Sequence, residues 1–384
     1  MSAAQWRKAM NSGAQAQAWP RQRRVAAAGS APAPGLPDDS DAAPWLQWAW
    51  QRVSARHVFV LLAVLVFPLV ATPFFTFQIG GQSLALGLIA LSLTFLGGYG
   101  GMISLAQMTV AGIAGYMVAI FGVSGTAEIS LGLPWWVVVP LAIAIAVVCA
   151  TFIGWLSVRT EGIYTIMITL AIGVAFHYLA LQNYSVFNGF QGLQRVYPPE
   201  VLGIDWRSPV PFYYLALFWA LAGYFFVQYL VRTPFGIALQ GIRDNPRRMN
   251  ALGFNVTAHR VAAYAVAGLI AAVGGVLFVW YNGLVTPGSV GTSWLINILI
   301  IAVLGGMRHP IGPFLGAIVF VLLQNFAIDV FARERFNLVI GGVFLAIVLF
   351  SPDGLLGLWA RLRARFENAD AQSRISTRGA SRRL

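Results

Sequence analysis

Runs of about 20 apolar residues, separated by short stretches rich in glycine, proline and arginine, recur from His57 to residue 351. A helix of that length crosses roughly 30 Å of hydrocarbon, whereas a membrane β-barrel would show short segments of alternating polarity, which this pattern lacks. The spans are expected at 57–77, 79–97, 101–122, 134–157, 162–182, 210–231, 260–284, 292–307, 311–331 and 336–351, ten in all. The second and third are joined only by "GGYGG" (97–101), so one of them is a candidate broken or re-entrant segment. Lipid permits such a break only where protein or a cavity covers the backbone.

Composition agrees with an all-α polytopic membrane protein. The chain has 384 residues, of which 58% are hydrophobic and 10% charged, with a mean hydropathy of +0.72. Its net charge of +12 would suggest a nucleic-acid partner in a soluble protein. Here the arginines sit at the ends of spans and set orientation instead, so no nucleic acid is expected. Of 25 Lys and Arg residues, only Arg195, Arg207, Arg333 and Arg335 fall on one side and the remaining 21 on the other, which predicts cytoplasmic termini.

Residues 1–56 read as a cytoplasmic tail, disordered to residue 44 and then a short Trp/Arg segment at the membrane surface. Residues 57–358 form the membrane domain and 359–384 a basic cytoplasmic tail. The longest outer loop, about 182–210, suits either a docking surface or an ordered cap. The lone Cys149 allows no intramolecular disulfide and no CxxC chemistry.

The most polar interior segment is the loop 232–259. Phe235, Leu239 and Ile242 fall at i, i+4 and i+7, an apolar stripe on a first short helix. Asp244 or Asn245 is placed to cap a second helix, with Pro246 as its first residue and Gly253 just past its end; Thr257 is placed to cap the next span. Two short helices would then present Arg243, Arg247, Arg248, Met249 and Leu252 to the cytoplasm. Contact with anionic lipid would need no such order, which favours a knob for a partner's groove.

"FGIALQGIRDNPRRMNALGFNVTAHR" (235–260) resembles the cytoplasmic signature of branched-chain amino acid ABC importer permeases of the LivM type. "GYGGMISLAQMTVAGIAGY" (98–116), "EGIYTIMITLAIGVAF" (161–176), "LGGMRHPIGPFLGA" (304–317) and "SPDGLLGL" (351–358) match further motifs of that family in order and spacing. The resemblance implies a type II ABC-importer-like permease. Its coupling site to an ATPase would be Arg243, Asp244, Asn245, Pro246, Arg247, Arg248, Asn250, Ala251, Leu252 and Gly253. Asn250 departs from the family, which usually carries Glu there. The implied partners are two cytoplasmic ATPase subunits, a second permease subunit formed by a different chain, and a periplasmic or extracellular substrate-binding protein, all at a bacterial inner membrane.

The chain carries no G-x-x-x-x-G-K-[ST], and its one lysine is Lys8, so ATP-Mg is expected on the partner and no cofactor on this chain. Ionisable residues in the spans are scarce; His177 beside Tyr178 reads as hydrogen-bonded packing rather than a proton relay. That scarcity counts against a proton-driven carrier and an intramembrane enzyme. Ser104 and Gln107, after the Gly-rich break, and Asn297 are candidates for the translocation path. Urea or short amides are an alternative cargo, and a stand-alone channel or carrier an alternative class.

Overall fold

The computed structural model describes residues 64–125, 129–160, 162–200, 203 and 205–330, together with 341, 342, 345, 349 and 354–357. The expected tails 1–56 and 359–384, and most of the expected span 336–351, lie outside the described residues, as does Glu161.

A helix at 64–70 is followed by a break at Ala71–Thr72, after which helix resumes at Pro73. It continues as α1, Phe75–Tyr99, which begins and ends in π-helical turns, Phe75–Gly81 and Phe95–Tyr99. The expected boundary between the first two spans, near residue 78, is therefore moved N-terminally: the chain restarts at Pro73, whose missing N–H costs nothing in a first helical turn. Tyr213 and Tyr214 donate to the carbonyls of Val64 and Leu65 at 2.9 and 3.0 Å, fixing the 64–70 helix.

The "GGYGG" ambiguity resolves as a break after α1. Residues 101–104 are non-helical, and α2 starts at Gln107 and ends at Phe121 instead of filling 101–122. Its 15 residues are about 22 Å long, short of a full crossing. Next come α3 (Trp135–Ser157), α4 (Ile163–Gln182), α5 (Pro209–Arg232), α6 (Pro234–Asp244), α7 (Pro246–Ala251) and α8 (Val256–Asn282). The hairpin α9 (Thr292–Gly305) and α10 (Gly312–Val330) follows. Among the described residues α1, α3, α4, α5 and α8 are long and apolar enough to cross a membrane, and α2, α9 and α10 are shorter apolar helices.

Helix α8 lies at the centre, against α1, α2 and α3. Tyr264, Ala267, Ile270 and Leu277 face one apolar cluster with α1, and Ala271, Ala272, Val276 and Val279 face a second with α2 and α3. Small residues allow the approach: Gly275 lies against the Ala111 backbone and Gly268 against Ala150. In the hairpin, Gly316 rests on the Ile301 carbonyl and Gly312 on Gly305 and Gly306, so these two glycines, four residues apart, serve packing. Helix α1 is the most enclosed span, 89% buried against 22% for α4.

At the end of the bundle away from α6 and α7, the described part of the 182–210 segment holds two short helical turns, Tyr184–Phe187 and Gly189–Gln191, and a strand. Two-residue strands β1 (Leu193–Gln194) and β2 (Leu284–Val285) pair antiparallel, and Arg207 lies 3.8 Å over the Tyr197 ring. His177 Nδ1 is 2.9 Å from the Pro287 carbonyl, tying α4 to the turn after β2, in accord with the packing role expected of it.

Candidate functional site

The loop after α5 folds as its local chemistry dictates. Thr233 caps α6 by accepting the Gly236 amide, with Pro234 as the first helical residue. Gln240 reaches back to the Val231 and Gly236 carbonyls at 3.1 and 3.2 Å, so the end of α5 and the start of α6 form one braced corner. Leu239 and Ile242 are fully buried and Phe235 packs beside them, confirming the apolar stripe. The Phe235 ring stacks on His259 at 5.9 Å, which joins α6 to the first turn of α8.

Of the two candidates for the second cap, Asn245 is the one used: its side-chain oxygen accepts the Arg248 amide at 2.9 Å. Pro246 is the first residue of α7, and Gly253 follows the helix at φ +88°, as its position predicts. The next span is capped by Asn255, not Thr257, because α8 begins at Val256, earlier than expected; Asn255 Oδ1 accepts the Ala258 amide at 3.0 Å. The roles of Thr233, Gln240 and Asn255 escaped the sequence reading. The Thr-Pro pair at 233–234 carries the same cap-then-proline signal as Asn-Pro at 245–246 and would have located the first.

No residue of α7 is buried. Arg247, Arg248, Asn250, Ala251 and Leu252 form an exposed surface, with Leu252 67% exposed. Two side chains depart from the expected outward presentation. Met249 folds back over Gly241, closing α7 onto α6 through an apolar contact. Arg243 turns toward the bundle: its Nη1 donates to the Gly98 carbonyl at 2.6 Å, while Nε and Nη2 hold Asp244 Oδ1 at 3.0 and 2.9 Å. The ten residues 243–253 named from the sequence, Met249 aside, are thus brought into one unit, but Arg243 faces inward within it.

Two of the path candidates, Ser104 and Gln107, are engaged inside the fold. Ser104 is fully buried and its Oγ accepts the Ala106 amide at 3.3 Å. Gln107 is buried at the start of α2 and accepts from Ser92 of α1 at 3.0 Å. Thr169 of α4 accepts the Leu105 amide at 3.1 Å, so the non-helical stretch before α2 is held by side chains of neighbouring helices, as irregular backbone at membrane depth requires. Asn297 is half-exposed on α9. A small cleft lined by Gly101, Met102, Ile103, Thr160, Thr165 and Arg260 opens beside this stretch. Among the described residues no group of three or more His, Cys, Asp or Glu side chains is placed to hold a metal.

Residues 75–348 match the family described as branched-chain amino acid transport system / permease component. The chain is 26% identical over 299 residues to the high-affinity branched-chain amino acid transport permease LivM of Salmonella typhimurium, covering 71% of this chain and 67% of that protein. To LivM of Escherichia coli it is 25% identical over 315 residues, 75% of this chain and 70% of the relative. The ribose import permease RbsC of Haemophilus influenzae is 21% identical over 259 residues, 65% of this chain and 78% of its own length. No solved structure matches the chain. With a bundle of apolar helices, an exposed double helix at one end and a family match across most of its length, this chain belongs to the branched-chain amino acid transport system permease components.

Proposed function

We propose that this chain is the membrane-spanning subunit of a binding-protein-dependent ABC importer that moves branched-chain or related amino acids inward. The observation that carries the reading is the α6–α7 unit: an ordered α7 with no buried residue, anchored on a buried stripe, Leu239 and Ile242. A lipid-binding patch needs charge but not this order. The unit is the handle for a separate ATPase that binds ATP-Mg, one copy on each of two paired permease subunits, and alternating access follows ATPase closure.

In this reading the α6–α7 end and both termini face the cytoplasm, and the 182–210 segment receives a substrate-binding protein outside the bacterial inner membrane. Amino acids are favoured over sugars because the LivM relatives match at 25–26% identity over 71–75% of this chain, against 21% over 65% for the ribose permease. The paired permease is a second, different chain.

The test is to purify the tagged chain in mild detergent from its native cell and identify every chain that accompanies it, then to measure ATP-driven uptake of leucine in liposomes. Recovery of an ATPase and a second permease, with leucine uptake, supports the reading. Recovery of this chain alone after crosslinking, with solute moving without ATP, would replace it with a stand-alone channel or carrier.

A further inference from the structure

The carboxyl end of α1 is unusual in where its carbonyls find partners. In the π-helical turn Phe95–Tyr99 both the Gly100 and Met102 amides return to the Leu96 carbonyl, the latter at 3.0 Å. Gly101, at φ +68°, makes that return possible. In an α-helix the Met102 amide would bond Gly98. It is spent on Leu96, and the Gly98 carbonyl is taken by the Arg243 guanidinium from a helix 145 residues further on. A positive charge there also complements the negative end of the α1 dipole.

The seat for Arg243 is built from both sides. A side chain at Gly101 would come within 2.6 Å of Arg243 Cγ, so the arginine stem occupies the space that glycine leaves. Asp244 grips the guanidinium from its solvent side, and the Arg243 side chain is 38% exposed against 68% for Asp244. The opposite face of the same π-turn meets the α9–α10 turn. Gly98 abuts the Met307 carbonyl, a side chain at Gly97 would meet Met307 Sδ at 2.9 Å, and Tyr99 Oη donates to the Arg308 carbonyl at 3.4 Å. The two "LGG" sequences, 96–98 and 304–306, are therefore neighbours in space, each at the end of a helix.

We propose that Arg243 is a positioning residue that latches α6 to the end of α1. Motion imposed on α6–α7 is delivered through this bond to α1 and, by way of Gly98 and Tyr99, to the α9–α10 turn. Arg243 thus acts within the permease, and Arg247, Arg248, Asn250 and Leu252 are left as the surface that meets the partner. The inference rests on the reading of α6–α7 as an ATPase handle.

The experiment uses the complete transporter in liposomes with Arg243→Ala, Arg243→Gln and Arg243→Lys, measuring the ATPase retained and the uptake per ATP hydrolysed. The Ala and Gln variants are expected to keep the ATPase while uptake per ATP falls about tenfold or more, the scale set by losing one charge-assisted hydrogen bond. Lys, which keeps a charged donor, is expected to recover part of the loss. Release of the ATPase by Arg243→Ala would make the arginine a docking residue and overturn the latch, and so would an unchanged yield per ATP. Should the variants fail to fold, spin labels at Ile237→Cys and His309→Cys, in a chain carrying Cys149→Ser and the native Arg243, read the same linkage. Their separation is expected to hold when nucleotide binds; a change approaching a helical turn, about 5.4 Å, would show α6 sliding free and overturn the latch. An unmodified chain that draws no ATPase would instead overturn the functional reading itself, and the latch with it.

Discussion

The side-chain oxygen of Asn245 accepts the Arg248 amide at 2.9 Å, and that bond sets the corner between α6 and α7. A six-residue helix has too few internal bonds to persist alone, so its cap and the Met249 contact on Gly241 carry much of its order. Asn245→Ala is expected to weaken α7 by about 1 kcal/mol and Asn245→Asp to leave it capped. Hydrogen exchange over residues 246–252 checks this: faster exchange in the Ala variant alone is the expected result, and equal rates in both would show that the cap contributes nothing.

Gly253 combines φ +88° with open space, since an added Cβ would meet nothing within 4 Å. The cost of Gly253→Ala is therefore conformational, about 1–2 kcal/mol, and Gly253→Asn is expected to cost less because Asn tolerates the left-handed region. Thermal unfolding of the detergent-solubilised chain ranks the three; an Ala variant as stable as the unmodified chain would contradict the assigned geometry.

Gly316 faces the opposite constraint, a lack of room. A side chain there would run into the Ile301 carbonyl and come within 2.8 Å of the Gly305 amide nitrogen. Gly316→Val is expected to push α9 and α10 apart at a cost of about 1–3 kcal/mol. A lower thermal midpoint and a broadened size-exclusion peak would show it, whereas an unchanged profile would mean that the hairpin has slack the structure does not display.

His177 contributes a contact to the Pro287 carbonyl at 2.9 Å, so His177→Phe is expected to remove about 1 kcal/mol of stability while uptake stays within about twofold. Uptake measured with and without a proton ionophore makes the comparison. A variant that loses transport and ionophore sensitivity together would assign His177 to a proton path.

The double helix at 234–251 was legible in the sequence because its signals are local. Asn-Pro opens α7, a glycine stands past its end, and an i, i+4, i+7 stripe marks the buried side of α6. The inward turn of Arg243 was not legible, since it depends on a π-turn that redirects the Met102 amide and so frees a carbonyl far away in the chain. The candidate path residues show a related limit. Polarity in an apolar run reveals that a group needs a partner, but Gln107 meets that need with Ser92, a pairing fixed only by packing of α2 on α1. Likewise the short length of α2 was hidden by the glycines and apolar residues at 101–106, which continue the hydropathy ahead of the helix.

The enclosure of α1 has a consequence for how the surrounding bilayer acts on this protein. Ser83, Ser92 and Thr94 are buried along it, side chains that a helix bathed in lipid tails carries less readily. A change of bilayer thickness or lipid composition presses directly on α4, whose flank exposes Ile163, Tyr164, Met167 and Leu179. It reaches α1 only second-hand, through the helices around it, so the most enclosed helix of the bundle is insulated from the medium in which the protein sits.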